Sequence, residues 1–240
     1  MPYKNKTVAV VMPAYFAAKT LLACYQALPK EWIDLVILVD DASTDGTVAI
    51  ARTLPIMVEV HPENRGYGGN QKTCYRLARA RGADIVVMIH PDHQYEPSFI
   101  PAMIKAIVDD GYQAVFGSRM MAKGGALAGG MPAWKFVSNI LLTRIGNLAL
   151  GTRLTEFHSG LRAYDLSILK TFDIEANSDD FIFDTQIIIQ MASRGIRIKE
   201  IAIPTRYFPE ASQIGLWPSI RYGCGFLKNL FLYRTGWRHY

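Results

Sequence analysis

With 240 residues, half of them apolar, the chain can hold one large α/β domain or two small ones with a substantial core, and nothing in it suggests disorder. A formal net charge of +5 and a pI near 9.1 favour anionic partners such as nucleotides, lipid phosphates or anionic membranes. Cys24, Cys74 and Cys224 form no zinc spacing and read as reduced cytoplasmic thiols, and no uncharged apolar run reaches the roughly 18 residues of a membrane span.

Met1 to Lys6 is polar and leads straight into a buried strand, Val8 to Met12, rather than into the apolar core of a signal sequence. Pro13-Ala14-Tyr15 closes that strand into a loop before an apolar-periodic helix around Thr20 to Leu28. Leu35 to Val39 is a second apolar strand. It runs into Asp40-Asp41-Ala42-Ser43-Thr44-Asp45-Gly46-Thr47, where Ser43, Thr44 or Asp45 can cap a helix over Val48 to Leu54. Just past a strand end, Asp40 and Asp41 can accept from a base N–H or a ribose hydroxyl, or simply solvate a turn.

Met57 to Val60 is a short third strand, followed by a glycine-rich stretch, Glu63 to Asn70, that lacks the Gly-Lys-Ser/Thr of a phosphate loop. Gly66, Gly68 and Gly69 instead permit close approach of the backbone to a neighbouring loop or ligand. Gln71 to Arg81 is expected as a helix with Leu77 and Ala78 inward and Lys72, Arg76 and Arg79 outward.

Ile85 to Ile89 reads as a strand buried on both faces, and it breaks off into His90-Pro91-Asp92-His93-Gln94. Ligands of open α/β sheets sit beyond the carboxyl ends of the strands. If the backbone stays extended, His90, Asp92 and Gln94 share one side and can hold a cation; the alternative is a polar loop that Pro91 and Pro97 merely terminate. A helix over Pro97 to Asp109 and a strand over Ala114 to Phe116, closed by Gly117-Ser118-Arg119, complete four strand-helix alternations. That regularity predicts an α/β fold with a mostly parallel central sheet flanked by helices.

Beyond Arg119 the alternation stops. Met120 to Pro132, with four glycines, is expected as a loop over the carboxyl edge, either a lid or a connector. Trp134 to Leu150 is a helix with a broad apolar face, Glu156 to Tyr164 gathers polar groups around Gly160, and Leu166 to Thr171 is a short helix. The acids of Ser178 to Asp184 precede a helix over Thr185 to Ser193, and Ile196 to Ile203 is a strand. In the tail, Ile220, Cys224, Leu227 and Phe231 fall at helical spacing with Arg221 and Lys228 a heptad apart. Such a helix can lie on an anionic membrane surface or pack onto its own domain. The chain is thus divided into one domain over 1–212 and an amphipathic tail over 213–240.

Several loops, in order, resemble the family-two glycosyltransferases with the nucleotide-diphospho-sugar-binding (GT-A) fold, in particular the dolichol- and polyprenyl-phosphate sugar synthases. The motifs are Met12-Pro13-Ala14-Tyr15, the Asp40 to Thr47 string after Val39, Asn64-Arg65-Gly66, Gly117-Ser118-Arg119 and Ser159-Gly160-Leu161-Arg162. The resemblance implies that Pro13, Tyr15 and Asp41 hold the nucleoside with Asp40 beside them. It places Asp92 at the second acid of the family's Asp-x-Asp, with Gln94 two residues on, carrying a divalent metal, Mn or Mg, on the diphosphate. Arg119 and Lys135 match basic positions near phosphate. Arg206, Glu210 and Ser212 echo a late arginine loop, and Ser159, Arg162 and Ser212 are expected near the acceptor. Two positions depart from the pattern: Phe16 replaces an Asn, and His90 replaces the first acid of Asp-x-Asp. His90 then shifts metal preference, leaves coordination to its neighbours, or bonds phosphate directly.

The resemblance implies an inverting, metal-dependent transfer of a hexose from a UDP- or GDP-sugar to a polyprenyl phosphate by an enzyme peripheral to the cytoplasmic face of a membrane. A lipid phosphate needs no general base, whereas a hydroxyl acceptor would, with Asp184 first and Asp180 second in line. The alternatives are a soluble glycan or small hydroxyl acceptor, and a sugar-nucleotide-binding protein without catalysis. Nucleic acid is not an expected partner, since only net charge points to it.

Overall fold

The computed structural model describes residues 3–122, 124–204 and 215–237. Seven strands form one sheet: β1 (Val8–Ala14), β2 (Leu35–Asp40), β3 (Met57–Val60), β4 (Ile85–Met88), β5 (Ala114–Ser118), β6 (Arg162–Asp165) and β7 (Ile198–Ala202). Their spatial order is β3-β2-β1-β4-β6-β5-β7. Only β6 runs antiparallel to its neighbours, β4 and β5. The mostly parallel sheet agrees with the alternation in the sequence. β6 was not foreseen, because four residues with Arg162 at one end and Asp165 at the other carry no apolar run.

Among the described residues the helices are α1 (Leu21–Gln26), α2 (Thr47–Ala51), α3 (Gly66–Ala80), α4 (Ile100–Val108), α5 (Gly125–Ala128), α6 (Ala133–Leu150), α7 (Leu166–Leu169), α8 (Phe183–Ser193) and α9 (Leu216–Arg234). Alternating residues of β1 feed two apolar layers: Val8, Val10 and Met12 pack with α1 and α4, while Ala9 and Val11 pack with α3 and α8. Burial on both faces is why the strands read as continuous apolar runs.

Several expectations change. β1 continues through Pro13 and Ala14, which stay in register with Val39 and Asp40. The glycine stretch opens α3 rather than preceding it. Gly66 and Gly68 lie against the backbone of Ser178 and Asp179, where a Cβ on Gly68 would come within 2.4 Å of the Ser178 carbonyl oxygen. Lys72 is buried, not outward, and donates to the Glu175 and Asn177 carbonyls and to Asp179. The stretch from Met120 to Pro132 contains α5 and buries Ala126 and Met131. Helix α9 is docked on α6 and α8 through the buried Phe226 and Leu230.

Candidate functional site

The carboxyl ends of β1, β2, β4 and β5 open into one cavity of about 940 Å³ whose other walls come from α3, α6 and α9. At one end lie Pro13, Tyr15, Phe16, Asp41 and Asn64. The Asp40 to Thr47 string folds this end by bonding inward: Asp40 accepts from the Ser43 N–H, Asp45 from the Thr47 N–H, Ser43 Oγ from the Phe16 N–H and Thr47 Oγ1 from the Ala17 N–H. Of the two expected nucleoside acids only Asp41 reaches the cavity. Asp40 is fully buried and shapes the turn, and its Oδ1 has no partner among the described residues. Asp41 is itself engaged, with Oδ1 taking the Arg65 N–H at 2.9 Å and His61 Nδ1 at 2.7 Å and Oδ2 taking the Gly66 N–H at 2.9 Å. This anchors the start of α3 and leaves one lone pair of Oδ2 to offer a ligand. Tyr15 is half exposed and rests on Phe16, ring centroids 4.2 Å apart.

His90, Asp92 and Gln94 line the middle of the cavity. They meet there by a route other than extended backbone. The chain turns at Pro91 to His93, with His93 at φ +56°, and the turn closes with Asp92 Oδ1 accepting the Gln94 N–H at 3.0 Å. An imidazole nitrogen, a carboxylate and an amide oxygen form a donor set suited to Mn2+ and later divalent ions, which accept imidazole more readily than Mg2+ does. Among the described residues no three His, Cys, Asp or Glu side chains form a cage, so such an ion would be completed by oxygens of a bound ligand.

Arg119 and Lys135 supply the positive charge. The Arg119 guanidinium pairs with Glu156, which also accepts the Arg119 backbone N–H and Asn139 Nδ2, each at 2.8 Å. Burial works to raise the Glu156 carboxyl, but the charge and hydrogen bonds of Arg119 outweigh it and hold Glu156 below the usual carboxylate range. Burial, followed by Arg119, pulls Lys135 below its ordinary value. Next to them His158 Nδ1 bonds the Tyr222 hydroxyl of α9 at 2.8 Å, and burial lowers His158 to about 4, so the ring is neutral at physiological pH.

Three expected residues lie behind this wall rather than in it. Arg162 is fully buried, with Nε on the Ser159 carbonyl and Nη2 on the Phe157 carbonyl; Ser159 is buried with it. Asp184 is buried too, accepting from Tyr67 and Gln71 and paired with Arg162 at 3.4 Å. Ser159, Arg162 and Asp184 therefore do not line the cavity. Of the two acids considered as a base, Asp180 is the one that lines the cavity, alongside Asp41 and Asp92. Arg206, Glu210 and Ser212 fall outside the described residues. Sequence reasoning missed Tyr67, Glu156 and Tyr222 as parts of the site. A lone aromatic among glycines at Tyr67 was the one available signal.

The remaining wall is apolar. Trp134, Leu141 and Leu142 of α6 face Ile220, Cys224 and Leu227 of α9. The tail stripe at helical spacing is therefore a cavity wall and outer surface, while Phe226 and Leu230 do the packing.

Comparison with known proteins places these features in context. A family model described as glycosyl transferase family 2 matches residues 9–172. The chain is 29% identical over 220 residues to a UDP-N-acetylglucosamine–dolichyl-phosphate N-acetylglucosaminyltransferase of Methanococcus voltae, covering 85% of this chain and 87% of the relative. It is 31% identical over 176 residues to an undecaprenyl-phosphate mannosyltransferase of Micrococcus luteus, covering 70% of each. The crystal structure of glucosyl-3-phosphoglycerate synthase from Mycobacterium tuberculosis with Mn2+, UDP and phosphoglyceric acid shares the fold, with a TM-score of 0.74 at 19% identity over 97% of this chain and 80% of that one. With more than half of its length matched by the family model, the chain belongs to glycosyl transferase family 2, on a GT-A fold.

Proposed function

We propose that the protein transfers a hexose, with inversion, from a UDP- or GDP-sugar to a polyprenyl phosphate. The observation that carries this reading is the polarity gradient of the cavity. Asp41 follows β2, His90, Asp92 and Gln94 follow β4 and Arg119 follows β5 at the carboxyl edge of the sheet, Lys135 reaches in from the start of α6, and α6 and α9 supply an aliphatic and aromatic wall. A nucleotide sugar matches the polar end, a phosphate the cations and an isoprenoid chain the apolar wall. The names of the dolichyl- and undecaprenyl-phosphate relatives support the same acceptor class.

In the reaction an oxygen of the lipid phosphate attacks the anomeric carbon as the bond from that carbon to the diphosphate breaks, and the nucleoside diphosphate leaves with the electron pair. The acceptor is already an anion, so no proton has to be removed. Pro13, Tyr15 and Asp41 hold the nucleoside, while Lys135 and Arg119 lower the cost of bringing two phosphates together and of the charge that builds on the leaving group. Asp92 and Gln94, with His90, hold a divalent ion, Mn or Mg. When bound, that ion supplies Lewis-acid stabilisation of the diphosphate. A peripheral position on the cytoplasmic face of a membrane completes the reading, supported by the lipid-phosphate acceptors in the relatives' names. A second reading, a soluble hydroxyl acceptor, would use as its base Asp180, one of the carboxylates on the cavity lining.

The test supplies labelled UDP-glucose, UDP-N-acetylglucosamine and GDP-mannose with Mn2+ and a polyprenyl phosphate. Label extractable into organic solvent and dependent on the lipid phosphate is expected. Turnover only onto water-soluble acceptors, abolished by Asp180→Asn, would establish the second reading instead.

A further inference from the structure

His90 is held in one orientation from two sides. Its ring stacks on Tyr67 with centroids 5.3 Å apart, and its Nε2 lies 3.2 Å from the Tyr67 hydroxyl. The Cδ2–Nε2 edge lies against Gly160, where a Cβ would come within 2.8 Å of Cδ2 and 3.1 Å of Nε2. Glycine is thus required for the ring to sit there.

The Tyr67 hydroxyl is also 2.8 Å from Asp184 Oδ2. Asp184 faces Arg162 at 3.4 Å and takes Gln71 Nε2 at 3.2 Å, so both of its oxygens serve as acceptors. A phenol has one proton, and here that proton goes to Asp184. The Tyr67 oxygen then accepts from His90, which puts the ring hydrogen on Nε2. In the neutral ring Nδ1 carries a bare lone pair, and it bonds nothing among the described residues. With the Cδ2–Nε2 edge packed on Gly160, the Nδ1–Cε1 edge is what the ring contributes to the cavity.

We infer that Tyr67, backed by Asp184, is a positioning residue that fixes His90 as the Nε2–H tautomer and presents Nδ1 as a nitrogen ligand to a divalent cation on the donor diphosphate. This rests on the reading of the cavity as a sugar-nucleotide site. Histidines that bind metals owe their tautomer and orientation to a partner on the other ring nitrogen, the part Tyr67 plays. A nitrogen ligand in place of a second carboxylate disfavours Mg2+, which demands oxygen, relative to Mn2+ and later ions.

Two measurements on the full chain test it. Long-range 1H–15N NMR at neutral pH, with His90 assigned by its loss in His90→Gln, is expected to show the proton on Nε2 and a shift of Nδ1 when Zn2+ and UDP are added. A proton on Nδ1 overturns the inference, and this readout needs no variant to reproduce the native site. Calorimetric titration of Mn2+ and of Mg2+ into protein with UDP, repeated with GDP, is expected to favour Mn2+ by about tenfold or more. His90→Asp should collapse that preference by raising Mg2+ affinity, and Tyr67→Phe should weaken Mn2+ by about tenfold while leaving Mg2+ nearly unchanged. An unaltered Mn2+/Mg2+ ratio in both variants, with nucleotide still bound, overturns the inference alone. Failure of the wild type to bind either nucleotide overturns the site reading along with it.

Discussion

Arg119 lines the cavity with its guanidinium paired to the buried Glu156, and that pair sets what each residue can be asked to do. Both are buried, so neither charge is tolerated without the other. Glu156→Gln would take the carboxylate away from a buried guanidinium and is expected to cost about 3–5 kcal/mol, read as a lower urea midpoint at unchanged slope. The double variant Arg119→Met, Glu156→Leu removes both charges and should be close to neutral in stability while abolishing turnover. A dead but stable double variant separates the cation's part in transfer from its part in folding. The pair also sets a pH dependence. Folding depresses the Glu156 carboxyl, so its contribution is complete above the ordinary carboxylate range and is lost as pH falls through the lowered value. In Glu156→Gln the acid limb of the stability profile should be shallower.

At the scale of elements, α3 shows packing overriding propensity. Gly68 and Gly69 inside a helix cost about 1 kcal/mol each relative to alanine, so propensity alone makes Gly68→Ala stabilising. The Cβ would lie 2.4 Å from the Ser178 carbonyl oxygen and 2.7 Å from Phe183 Cβ, neither of them the free end of a flexible side chain. The overpacking term, about 1–3 kcal/mol or more, wins. Gly68→Ala is therefore expected to lower the thermal midpoint, and because α3 also carries Tyr67 it should weaken nucleotide binding in parallel. A stabilised Gly68→Ala would refute the close approach. The glycines were legible as points of close approach, yet the same glycines concealed the first turn of the helix they open. The strands beside them were legible because a parallel sheet buried on both faces writes itself as apolar runs, and the turn after β4 was legible as a cluster of donors. β6 and the Arg162–Asp184 pair were not. A charge balanced across 22 positions of sequence looks like any surface charge until the fold brings its partner to it. Asp184, in the first turn of α8, is buried against Arg162, whereas the exposed Asp180, in the turn before α8, reaches the cavity.

At the scale of the whole molecule, α6 and α9 pack on each other and turn apolar stripes outward. Trp134, Val137, Leu141 and Leu148 lie along one face of α6, and Trp217, Ile220, Leu227 and Phe231 along one face of α9. Leu148 is 86% exposed and Trp217 78%, values that scattered surface residues reach singly but that two adjoining helices rarely share. The stripes converge at the cavity wall, where Trp134, Leu141, Ile220 and Leu227 belong to both. Exposed Arg144, Arg221, Lys228 and Arg234 accompany them. Apolar stripes accompanied by cations match the interface of an anionic bilayer, and a lipid acceptor could then enter the cavity without its chain leaving the membrane. The proposed peripheral position thus predicts that the protein co-sediments with vesicles containing phosphatidylglycerol, less with purely zwitterionic vesicles, and less at high salt. Trp217→Glu with Phe231→Glu removes two exposed anchors worth about 1–2 kcal/mol each, so vesicle partitioning should fall by more than about tenfold. Neither side chain packs in the core, so UDP affinity should be unchanged. Turnover should fall with lipid acceptor presented in vesicles and recover when a short-chain, water-soluble polyprenyl phosphate is supplied. Equal vesicle binding by the double variant would refute a membrane role for this face and leave the cavity chemistry as it stands.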